Sequence, residues 1–318
     1  IISLLVNAQD QKKLEIILET FKVDTVYHAA AYKHVPLVEE NICEGVKNNV
    51  FSTLAVVKAS IAKKILNLVL ISSDKAVRPT NIMGASKRLS ELCMQGIYNH
   101  TKDIKTHFSI VRFGNVLESS GSVIPKFKKQ IQEGGPVTLT HRDVTRYFMT
   151  ITEAAQLVIQ TGAMGKNCEV FVLDMGESIK IHNLINKMIK LSGFSVKDDK
   201  NQDGDIEVRT TGLRPGEKLY EELLIGNNPQ KTNHPKIKKI SETFIPFEEL
   251  NVYLEDLKNL LDNGKVKEVK MLLDKVLKLY QSNTDIVDHI YIEQLSNYSK
   301  TKNLSLVRDN DKNIVKII

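Results

Sequence analysis

Polar and ionisable residues cluster at the carboxyl end of one predicted strand, Asn67–Ser72. The candidates for chemistry there are Ser72, Ser73, Asp74 and Lys75. Ligands of open α/β sheets bind outside the carboxyl ends of the strands, so these side chains could hold a substrate and exchange protons with it. Lys87 follows Met83 by four residues near the start of the next predicted helix, which places both side chains on one helix face. Each polar residue also has a structural alternative, namely turn formation, helix capping or plain solvation.

The surrounding sequence predicts an α/β fold with a Rossmann-like, doubly wound parallel sheet over residues 1–120. The predicted strands are Ile1–Val6, Thr25–Ala29, Asn67–Ser72 and Thr106–Arg112. Apolar residues recur every three or four positions from Val46 to Ile61, which is the spacing of one buried helix face. Another helix is predicted over Met83–Asn99. Near-continuous apolar strands that alternate with helices indicate a parallel sheet covered on both faces.

The rest of the chain predicts two further parts. Residues 121–240 contain shorter elements that indicate a smaller mixed α/β lobe, with some strands returning to the main sheet. The elements predicted there are helices Val123–Gln132, Thr152–Thr161 and Ile181–Leu191 and strands Val137–Thr140 and Val170–Leu173. Residues 241–318 predict helices Phe247–Asp262 and Lys265–Tyr280. We expect the weakly patterned tail beyond Asn283 to be partly disordered.

Composition narrows the classes of function. The chain has 318 residues, 42% apolar and 26% charged, which suffices for a sizeable core in two lobes. Its net charge of +6 comes mostly from dispersed lysines without interleaved aromatic residues, so we expect no nucleic-acid partner. No apolar run approaches the ~20 residues that span a bilayer, and we expect a cytoplasmic protein, with tethering to the inner membrane face by a preceding region left open. The three cysteines form no CxxC pair, so we expect reduced, buried thiols and no metal site.

The spacing around Met83 resembles that of the extended short-chain dehydrogenase/reductase superfamily. Ser73 stands ten residues before Met83, and Lys87 stands four residues after it. In that superfamily the position of Met83 is normally a tyrosine, whose pKa is lowered by the lysine that also holds the nicotinamide ribose. Because methionine cannot transfer a proton, the chain resembles the one branch that remains active with methionine here.

Five longer motifs make this resemblance specific. They are His28–Leu37, Ser73–Asn81, Arg112–Leu117, Thr145–Thr150 and Leu213–Tyr220. They resemble the UDP-N-acetylglucosamine 4,6-dehydratases of the capsular polysaccharide biosynthesis protein family, and the similarity runs from about Ile1 to about Tyr280. The resemblance implies NAD as cofactor and a UDP-sugar as substrate, bound by the lobe of residues 121–240. A homo-oligomer is also expected.

The same resemblance implies roles for individual residues. Those assigned to the NAD site are His28, Ala29, Ala30, Asn49, Ser72, Lys87 and Arg112. Ser73 is expected to bond to the sugar 4-hydroxyl, and Asp74 and Lys75 to perform acid–base chemistry at C6 and C5. Those expected to hold the substrate are Asn115, Arg146, Arg214 and Glu217, with Lys33 added because its loop follows a strand. A planar guanidinium can grip diphosphate oxygens through two hydrogen bonds, which supports the two arginines.

Together these roles imply a lyase that recycles its NAD. Oxidation at C4, loss of water across C5 and C6, and hydride return to C6 would give a UDP-4-keto-6-deoxy sugar. Two alternatives stay open, a nucleotide-sugar epimerase of the same fold and a catalytically inactive NAD-binding fragment. The second is favoured by the absence of the family's first strands and glycine-rich turn ahead of Ile1. Asn7 in place of an aspartate and Glu118 in place of a common glycine also depart from the family on the expected cofactor side.

Overall fold

The computed structural model describes residues 1–225, 229–282 and 285–298. The α-helices are α1 (Gln11–Thr20), α2 (Val35–Glu39), α3 (Ile42–Val46), α4 (Ser52–Ala62), α5 (Ile82–His100), α6 (Val123–Gln132), α7 (Ile151–Met164), α8 (Ile181–Leu191), α9 (Phe247–Asp262) and α10 (Val266–Val276). A π-helical turn covers Lys47–Phe51, a 3₁₀ turn covers Asp74–Ala76, and residues 289–298 are helical. The strands are β1 (Thr25–His28), β2 (Asn67–Ile71), β3 (His107–Arg112), β4 (Asn115–Val116), β5 (Val137–Leu139), β6 (Thr145–Arg146), β7 (Phe148–Met149), β8 (Glu169–Leu173), β9 (Ile179–Lys180), β10 (Val196–Lys197), β11 (Ile206–Thr210), β12 (Gln230–Lys231) and β13 (Ile237–Ile240).

The main sheet has the strand order β1-β2-β3-β8-β13-β12. Strands β1, β2, β3 and β8 are parallel, and β13 and β12 add an antiparallel edge. Leu68 and Leu70 of β2 pack with α4 and α5, whereas Val69 packs with α7 on the opposite face. Helices therefore cover both faces, and the predicted doubly wound α/β fold is confirmed. Because the carboxyl ends of β1, β2 and β3 meet at one edge, the segments that follow them converge there.

Helix α5 starts at that edge with a well-satisfied first turn. The side-chain oxygen of Asn81 accepts a hydrogen bond from the N–H of Gly84 (2.7 Å), and the Glu39 carboxylate accepts one from the N–H of Ile82 (2.6 Å). Both bonds satisfy N–H groups that have no partner inside the helix. Helix α9 packs against α5 and buries Leu250 fully. These contacts make α5 a rigid support for the side chains near its start.

The second lobe has its own core. A three-stranded sheet of order β10-β11-β5 packs against α6 and α8, and Phe127, Ile185 and Ile206 are buried between them. Two short pairs, β4 with β7 and β6 with β9, carry Asn115 and Arg146. Strands β8 and β13 come from the same stretch of sequence but lie in the main sheet, so the two parts interleave along the chain.

Several predicted elements differ from the observed ones. Ile1–Val6 was predicted as a strand, which is wrong: the segment has no regular structure, because within the described chain the edge strand β1 pairs only with β2. The predicted helix Lys265–Tyr280 ends earlier, at Val276. The tail contains an unpredicted helix at 289–298, whose first turn is capped by Asp288 through the N–H of Tyr291 (3.1 Å). The remainder of the predicted disordered tail, residues 299–318, lies outside the described residues. Helices α6, α8 and α9 have the predicted ends.

The three thiols lie mostly inside the protein, as expected. Cys93 and Cys168 are buried, Cys43 is half-buried, and all three are free. No helix within the described ranges is long and apolar enough to cross a membrane.

A buried ionic network joins α5 to β2 and β3. The Arg112 guanidinium is fully buried and donates to Glu91 (2.8 and 2.6 Å) and to Glu242 (2.7 Å twice). Glu91 also accepts a bond from the hydroxyl of Ser72 (2.6 Å). Burial alone would raise the pKa of Glu91, but Arg112 and the other donors outweigh it and hold the pKa at about 2. The Glu91 carboxylate is therefore charged at neutral pH and fixes three elements in place.

Replacing Glu91 by glutamine should lower the free energy of unfolding by roughly 3–5 kcal/mol, because the buried Arg112 charge loses a partner. The folded-state pKa of Glu91 lies below the ordinary value of 4.5, so its stabilisation is present above pH 4.5 and is lost as the pH falls toward 2. Urea unfolding should therefore show a gap between wild type and variant that narrows in acid. Glu248→Gln at the exposed start of α9 is the control and should change stability by less than ~0.5 kcal/mol. A Glu91 variant as stable as wild type at neutral pH would contradict the structural role given to this network.

Candidate active site

A cavity of about 370 Å³ opens at the carboxyl edge of β1, β2 and β3. Its walls are the segments after these strands, the first turns of α5 and residues 119–124. The predicted site residues that line it are Ala29, Lys33, Ser72, Ser73, Lys75, Met83, Lys87 and Asn115. Residues predicted for catalysis, for the cofactor and for the substrate thus share one cavity of a size typical of small-molecule sites.

A hydrogen-bonded chain joins Ser73, Asp74 and Lys75. The Ser73 hydroxyl donates to Asp74 Oδ1 (2.8 Å), and the Lys75 ammonium donates to the same oxygen (3.0 Å). The Ser73 oxygen also caps the 3₁₀ turn by accepting the N–H of Lys75 (3.2 Å). Asp74 Oδ2 is buried and has no hydrogen-bond partner among the described residues. Buried carboxylate oxygens are normally hydrogen-bonded. The unpaired Oδ2 therefore leaves the Asp74 carboxylate free to interact with a ligand or a proton.

A second buried carboxylate, Glu221, also approaches Lys75 and was not predicted as a site residue. Its Oε1 lies 3.5 Å from Lys75 Nζ, and its side chain is 3% exposed. The amide oxygen of Asn115 accepts a further bond from the same ammonium (3.3 Å). Burial alone would lower the pKa of Lys75, but the carboxylates of Asp74 and Glu221 outweigh it and the pKa is raised. Lys75 is therefore a charged ammonium in the resting site.

The sequence contains a weak signal for Glu221. It is the first of two adjacent glutamates that directly follow the motif Leu213–Tyr220. Its neighbour Glu222 is bonded to Arg78 at the surface (3.1 Å). Which of two adjacent glutamates is buried depends on the tertiary path of the chain, and no local pattern reveals it.

Lys87 has the opposite environment. Its ammonium donates to the carbonyl oxygen of Ile71 (2.5 Å) and is almost fully buried. Burial lowers its pKa to about 8, against the opposing effect of Glu91. An ammonium has three donors, so Lys87 retains donors for ligand hydroxyls. Met83, one helical turn earlier, lies in the same wall and offers no proton.

His28 and Asn49 lie behind the cavity wall and support it. The Thr53 hydroxyl donates to the carbonyl oxygen of Asn49 (2.8 Å), so His28 Nε2 must donate to Thr53 (3.1 Å). Burial and, to a smaller extent, Lys87 lower the pKa of His28 to about 3, so its ring is neutral. The side-chain amide of Asn49 exchanges two hydrogen bonds with the main chain of Tyr32 (2.7 and 3.1 Å). Asn49 therefore holds the loop after β1 in place.

Two residues predicted for the cofactor site are bonded to acidic side chains beneath the cavity. The donors of Arg112 are bonded to Glu91 and Glu242, and the guanidinium is fully buried. The hydroxyl of Ser72 is likewise bonded to Glu91, although Ser72 lines the cavity. Both side chains form the floor beneath the site, where their polar groups are bonded to acidic residues of the protein itself. Ala30, assigned to the same site, lies outside the set of residues that line the cavity.

Three of the residues predicted to hold the substrate form a separate cluster. The Arg146 guanidinium donates to Glu217 Oε1 (3.1 Å), and Glu217 Oε2 accepts the main-chain N–H of Arg214 (3.2 Å). Arg146 is buried, whereas Arg214 is exposed. These three do not line the cavity itself, but the charge of Arg146 is near enough to oppose the rise in the pKa of Lys75. The cluster therefore borders the acid–base group.

The loop that carries Arg214 and Glu217 is fixed to the start of α5. The carbonyl oxygen of Gly216 accepts a bond from the side chain of Asn81 (3.0 Å), the residue that caps α5. Gly216 has φ +71°, and a Cβ there would lie 2.5 Å from Asn81 Cβ, so only glycine fits. Lys218 adds a second bond from its ammonium to the carbonyl oxygen of Val77 (2.9 Å). The position of the substrate cluster is therefore set by the same helix that carries Lys87.

Comparison with known proteins identifies the family. The sequence profile of the polysaccharide biosynthesis protein family matches residues 1–242, and the chain belongs to this family. The chain is 44% identical over 270 residues to the capsular polysaccharide biosynthesis protein CapD of Staphylococcus aureus, covering 84% of this chain and 43% of CapD. It is 34% identical over 219 residues to a UDP-glucose 4-epimerase of Rickettsia akari (strain Hartford), covering 66% and 59%. The expected family is confirmed, and the chain spans less than half the length of CapD.

Solved structures confirm the fold. Pen from Bacillus thuringiensis superposes with a TM-score of 0.67 at 32% identity, over 79% of this chain and 81% of that chain. DesIV, a dTDP-glucose 4,6-dehydratase from Streptomyces venezuelae solved with NAD and TYD bound, superposes with a TM-score of 0.60 at 19% identity, over 69% of each chain. The latter likeness concerns the fold alone.

Replacing Lys87 by methionine should raise the stability of the protein at neutral pH. The folded-state pKa of Lys87, about 8, lies below its ordinary value of 10.5, so folding disfavours the charged form. That difference corresponds to at most about 3 kcal/mol at pH 7, which is lost progressively as the pH rises from about 8 to about 10.5. Urea unfolding should show a gain of roughly 1–3 kcal/mol in Lys87→Met at pH 7, smaller near pH 10. Lys58→Met, on the exposed side of α4, is the control, and a destabilised Lys87→Met would contradict the lowered pKa.

Proposed function

We propose that the protein dehydrates UDP-N-acetylglucosamine to a UDP-4-keto-6-deoxy sugar with NAD as a recycled cofactor, in the biosynthesis of a surface polysaccharide. Family membership and the five motifs support a nucleotide-sugar enzyme of this kind. The observation that carries the proposal is the 3.0 Å contact between Lys75, which lines the cavity, and Asp74, which is buried directly behind it. It gives the site two adjacent groups of opposite charge that can act as acid and base.

The reaction needs both groups. Elimination of water across C5 and C6 removes a proton from C5 and adds one to the leaving C6 hydroxyl. Epimerisation at C4 moves only the proton of the 4-hydroxyl along with the hydride. A site built for epimerisation alone has no use for Asp74 and Lys75 side by side. The presence of Met83 in place of a proton-transferring tyrosine also makes other proton donors and acceptors necessary.

The residues of the cavity fit the nicotinamide half of the cofactor. Lys87 has donors left for ribose hydroxyls, and Ala29 leaves room along the wall that follows β1. When bound, NAD supplies the hydride chemistry, accepting a hydride from C4 and returning one to C6. DesIV, which shares the fold, was solved with NAD. The chain's own residues orient the sugar and move the protons.

Ser73 and Asp74 supply a route for the first proton. The 4-hydroxyl proton passes to Ser73 as the Ser73 hydroxyl proton passes to Asp74 Oδ1, over the 2.8 Å contact between them. Asp74 is then a carboxylic acid, the form needed to protonate the leaving C6 hydroxyl. Lys75, once it has given up its own proton, takes the C5 proton, which the new 4-ketone has made acidic. Asp74 and Lys75 thereby act at neighbouring carbon atoms of one sugar.

The cluster of Arg146, Glu217 and Arg214 is assigned to the UDP half, together with Asn115. Two guanidinium groups supply charge and planar donors for a diphosphate. Glu217 holds Arg146 in place and leaves the exposed Arg214 side chain free to reach the ligand. Lys33, on the loop after β1, is a further cation at the cavity mouth.

The second candidate is a nucleotide-sugar epimerase, favoured by the 34% identity to the UDP-glucose 4-epimerase of Rickettsia akari. The products separate the two functions, because only the dehydratase releases water and forms a 6-deoxy sugar. Mass spectrometry of the sugar nucleotide after incubation with UDP-N-acetylglucosamine and NAD measures this directly. A product with unchanged mass would refute the dehydratase.

Arg214→Lys should weaken UDP-N-acetylglucosamine binding by roughly tenfold, because a lysine provides a point charge where a planar fork is needed. Titration calorimetry measures the change. Arg209→Lys is the matched control, since Arg209 is also exposed but is bonded to Glu207 on β11. An affinity that is unchanged in Arg214→Lys would mean that Arg214 is an ordinary surface residue.

Lys75→Ala should lower turnover by roughly 10²–10⁴-fold, the range for loss of a positioned general base. Because Lys75 acts after C4 has been oxidised, the absorbance of reduced nicotinamide should still appear when UDP-N-acetylglucosamine is added. In heavy water the wild type should incorporate deuterium at C5, and the variant should not. The assay uses the longest form of the protein that its gene encodes, with Lys58→Ala as the control.

Two results would contradict this assignment of Lys75. Loss of nicotinamide reduction together with turnover would mean that Lys75 acts in the first step or in binding. Full activity would mean that Asp74 and Lys75 are not the acid–base pair.

A further inference from the structure

We propose that Glu221 is the proton acceptor for Lys75, a positioning residue that takes the lysine's proton and holds it while Lys75 removes the proton from C5. The inference rests on the proposed dehydration and deepens it. The proposed reaction needs a group that accepts the proton of Lys75, and Asp74 cannot serve as that group. A lysine that enters the reaction as an ammonium cannot accept a proton until it has given one away.

Among the described residues, the contacts of Lys75 leave one candidate acceptor. The charged or polar groups that face its ammonium are Asp74 (3.0 Å), Asn115 (3.3 Å), Glu221 (3.5 Å) and, at longer range, Arg146. The amide of Asn115 and the guanidinium of Arg146 cannot accept a proton at neutral pH. Asp74 has already taken the proton of the 4-hydroxyl and must keep it for the leaving C6 hydroxyl. Glu221 is the remaining group.

The environment of Glu221 fits a carboxylate that gains and loses a proton. Its side chain is 3% exposed, which separates it from solvent protons. Its Oε2 is buried and, within the described part of the chain, has no hydrogen-bond partner. A structural buried carboxylate normally has both oxygens satisfied, as Glu91 has through Ser72, Arg88 and Arg112. Because no described residue donates to Oε2, Glu221 loses no hydrogen bond at this oxygen when it takes up a proton.

The protons balance over the whole cycle. Before reaction, Asp74 and Glu221 are carboxylates and Lys75 is an ammonium. Oxidation at C4 protonates Asp74. In the elimination, the C5–H bond breaks and its electron pair forms the C5–C6 double bond. Lys75 passes its own proton to Glu221 and accepts the C5 proton, while Asp74 protonates the departing hydroxyl, which leaves as water. When hydride returns to C6, Lys75 returns a proton to C5 and recovers one from Glu221, so that all three residues regain their starting charges.

The position of Glu221 in the chain links this step to substrate binding. It follows the loop of Arg214 and Glu217, which Gly216 fixes to the cap of α5. The segment that is assigned to the UDP group therefore also places the proton acceptor.

The test compares Glu221→Gln with Glu222→Gln. Glutamine keeps the size of the side chain but cannot take a proton, and Glu222 is the matched surface neighbour. At neutral pH, Glu221→Gln should lower kcat by at least about tenfold with KM for UDP-N-acetylglucosamine unchanged. Raising the pH should restore kcat, because Lys75 then loses its proton to solvent before the elimination. Glu222→Gln should match wild type at every pH, and Glu221→Asp should keep the shape of the wild-type pH profile.

A second measurement needs no substrate. Competitive acetylation of Lys75 by acetic anhydride, followed by mass spectrometry of the peptide, reports how much of the lysine is unprotonated at each pH. In Glu221→Gln the reactive form should appear at lower pH than in wild type. An unchanged acetylation profile overturns the proposal, whatever product the wild-type enzyme makes. A shifted profile without pH-dependent recovery of kcat also overturns it. A wild type that releases no water instead refutes the proposed dehydration, and in that case the acetylation shift alone supports the positioning of Lys75 by Glu221.

Discussion

The carboxylate of Glu91 ties together the elements that bear the site. It lies on α5, the helix of Met83 and Lys87, and it binds Ser72 at the end of β2 and Arg112 at the end of β3. The segment Ser73–Lys75 starts directly after Ser72, so its position relative to Lys87 depends on this one buried group. A parallel sheet brings strand ends to a common edge, but the loops that follow the strands can still vary in position. The Glu91 network restricts these positions through charged hydrogen bonds with fixed geometry.

The two lysines of the cavity show how one fold sets opposite ionisation. Lys87 is buried and Lys75 is half-buried, yet the pKa of Lys75 is raised and that of Lys87 is lowered to about 8. Two carboxylates approach Lys75, whereas the nearest polar partner of Lys87 is a main-chain carbonyl oxygen. Pairs of titratable groups whose environments push their pKa values apart are typical of acid–base sites. The lowered pKa of Lys87 suits a residue that binds neutral hydroxyls, and the charge of Lys75 explains why a second proton acceptor is needed.

The sequence was sufficient to predict the parallel sheet, the ends of α6, α8 and α9, and eight of the residues that line the cavity. These features have local signals, either apolar periodicity or a position directly after a strand. It contained no local signal for the bonds of Arg112, because Glu91 and Glu242 come from distant parts of the chain. Ile1–Val6 failed for a related reason, since an apolar run becomes a strand only when another strand accepts its hydrogen bonds. Glu118 shows the reverse case: its φ of +59° gives a backbone reason for the glycine that the resemblance led us to expect at that position.

Residues 213–222 contribute to several parts of the site. Gly216 fixes it to the cap of α5, Glu217 orients Arg146, Arg214 extends toward solvent, and Glu221 turns inward to Lys75. In the proposed reaction, the loop that receives the diphosphate therefore continues directly into the residue that receives the proton. Such an arrangement also accounts for Met83. Once Ser73 and Asp74 take the first proton and Lys75 with Glu221 takes the second, a tyrosine at position 83 has no proton left to transfer, and an apolar side chain there costs the reaction nothing.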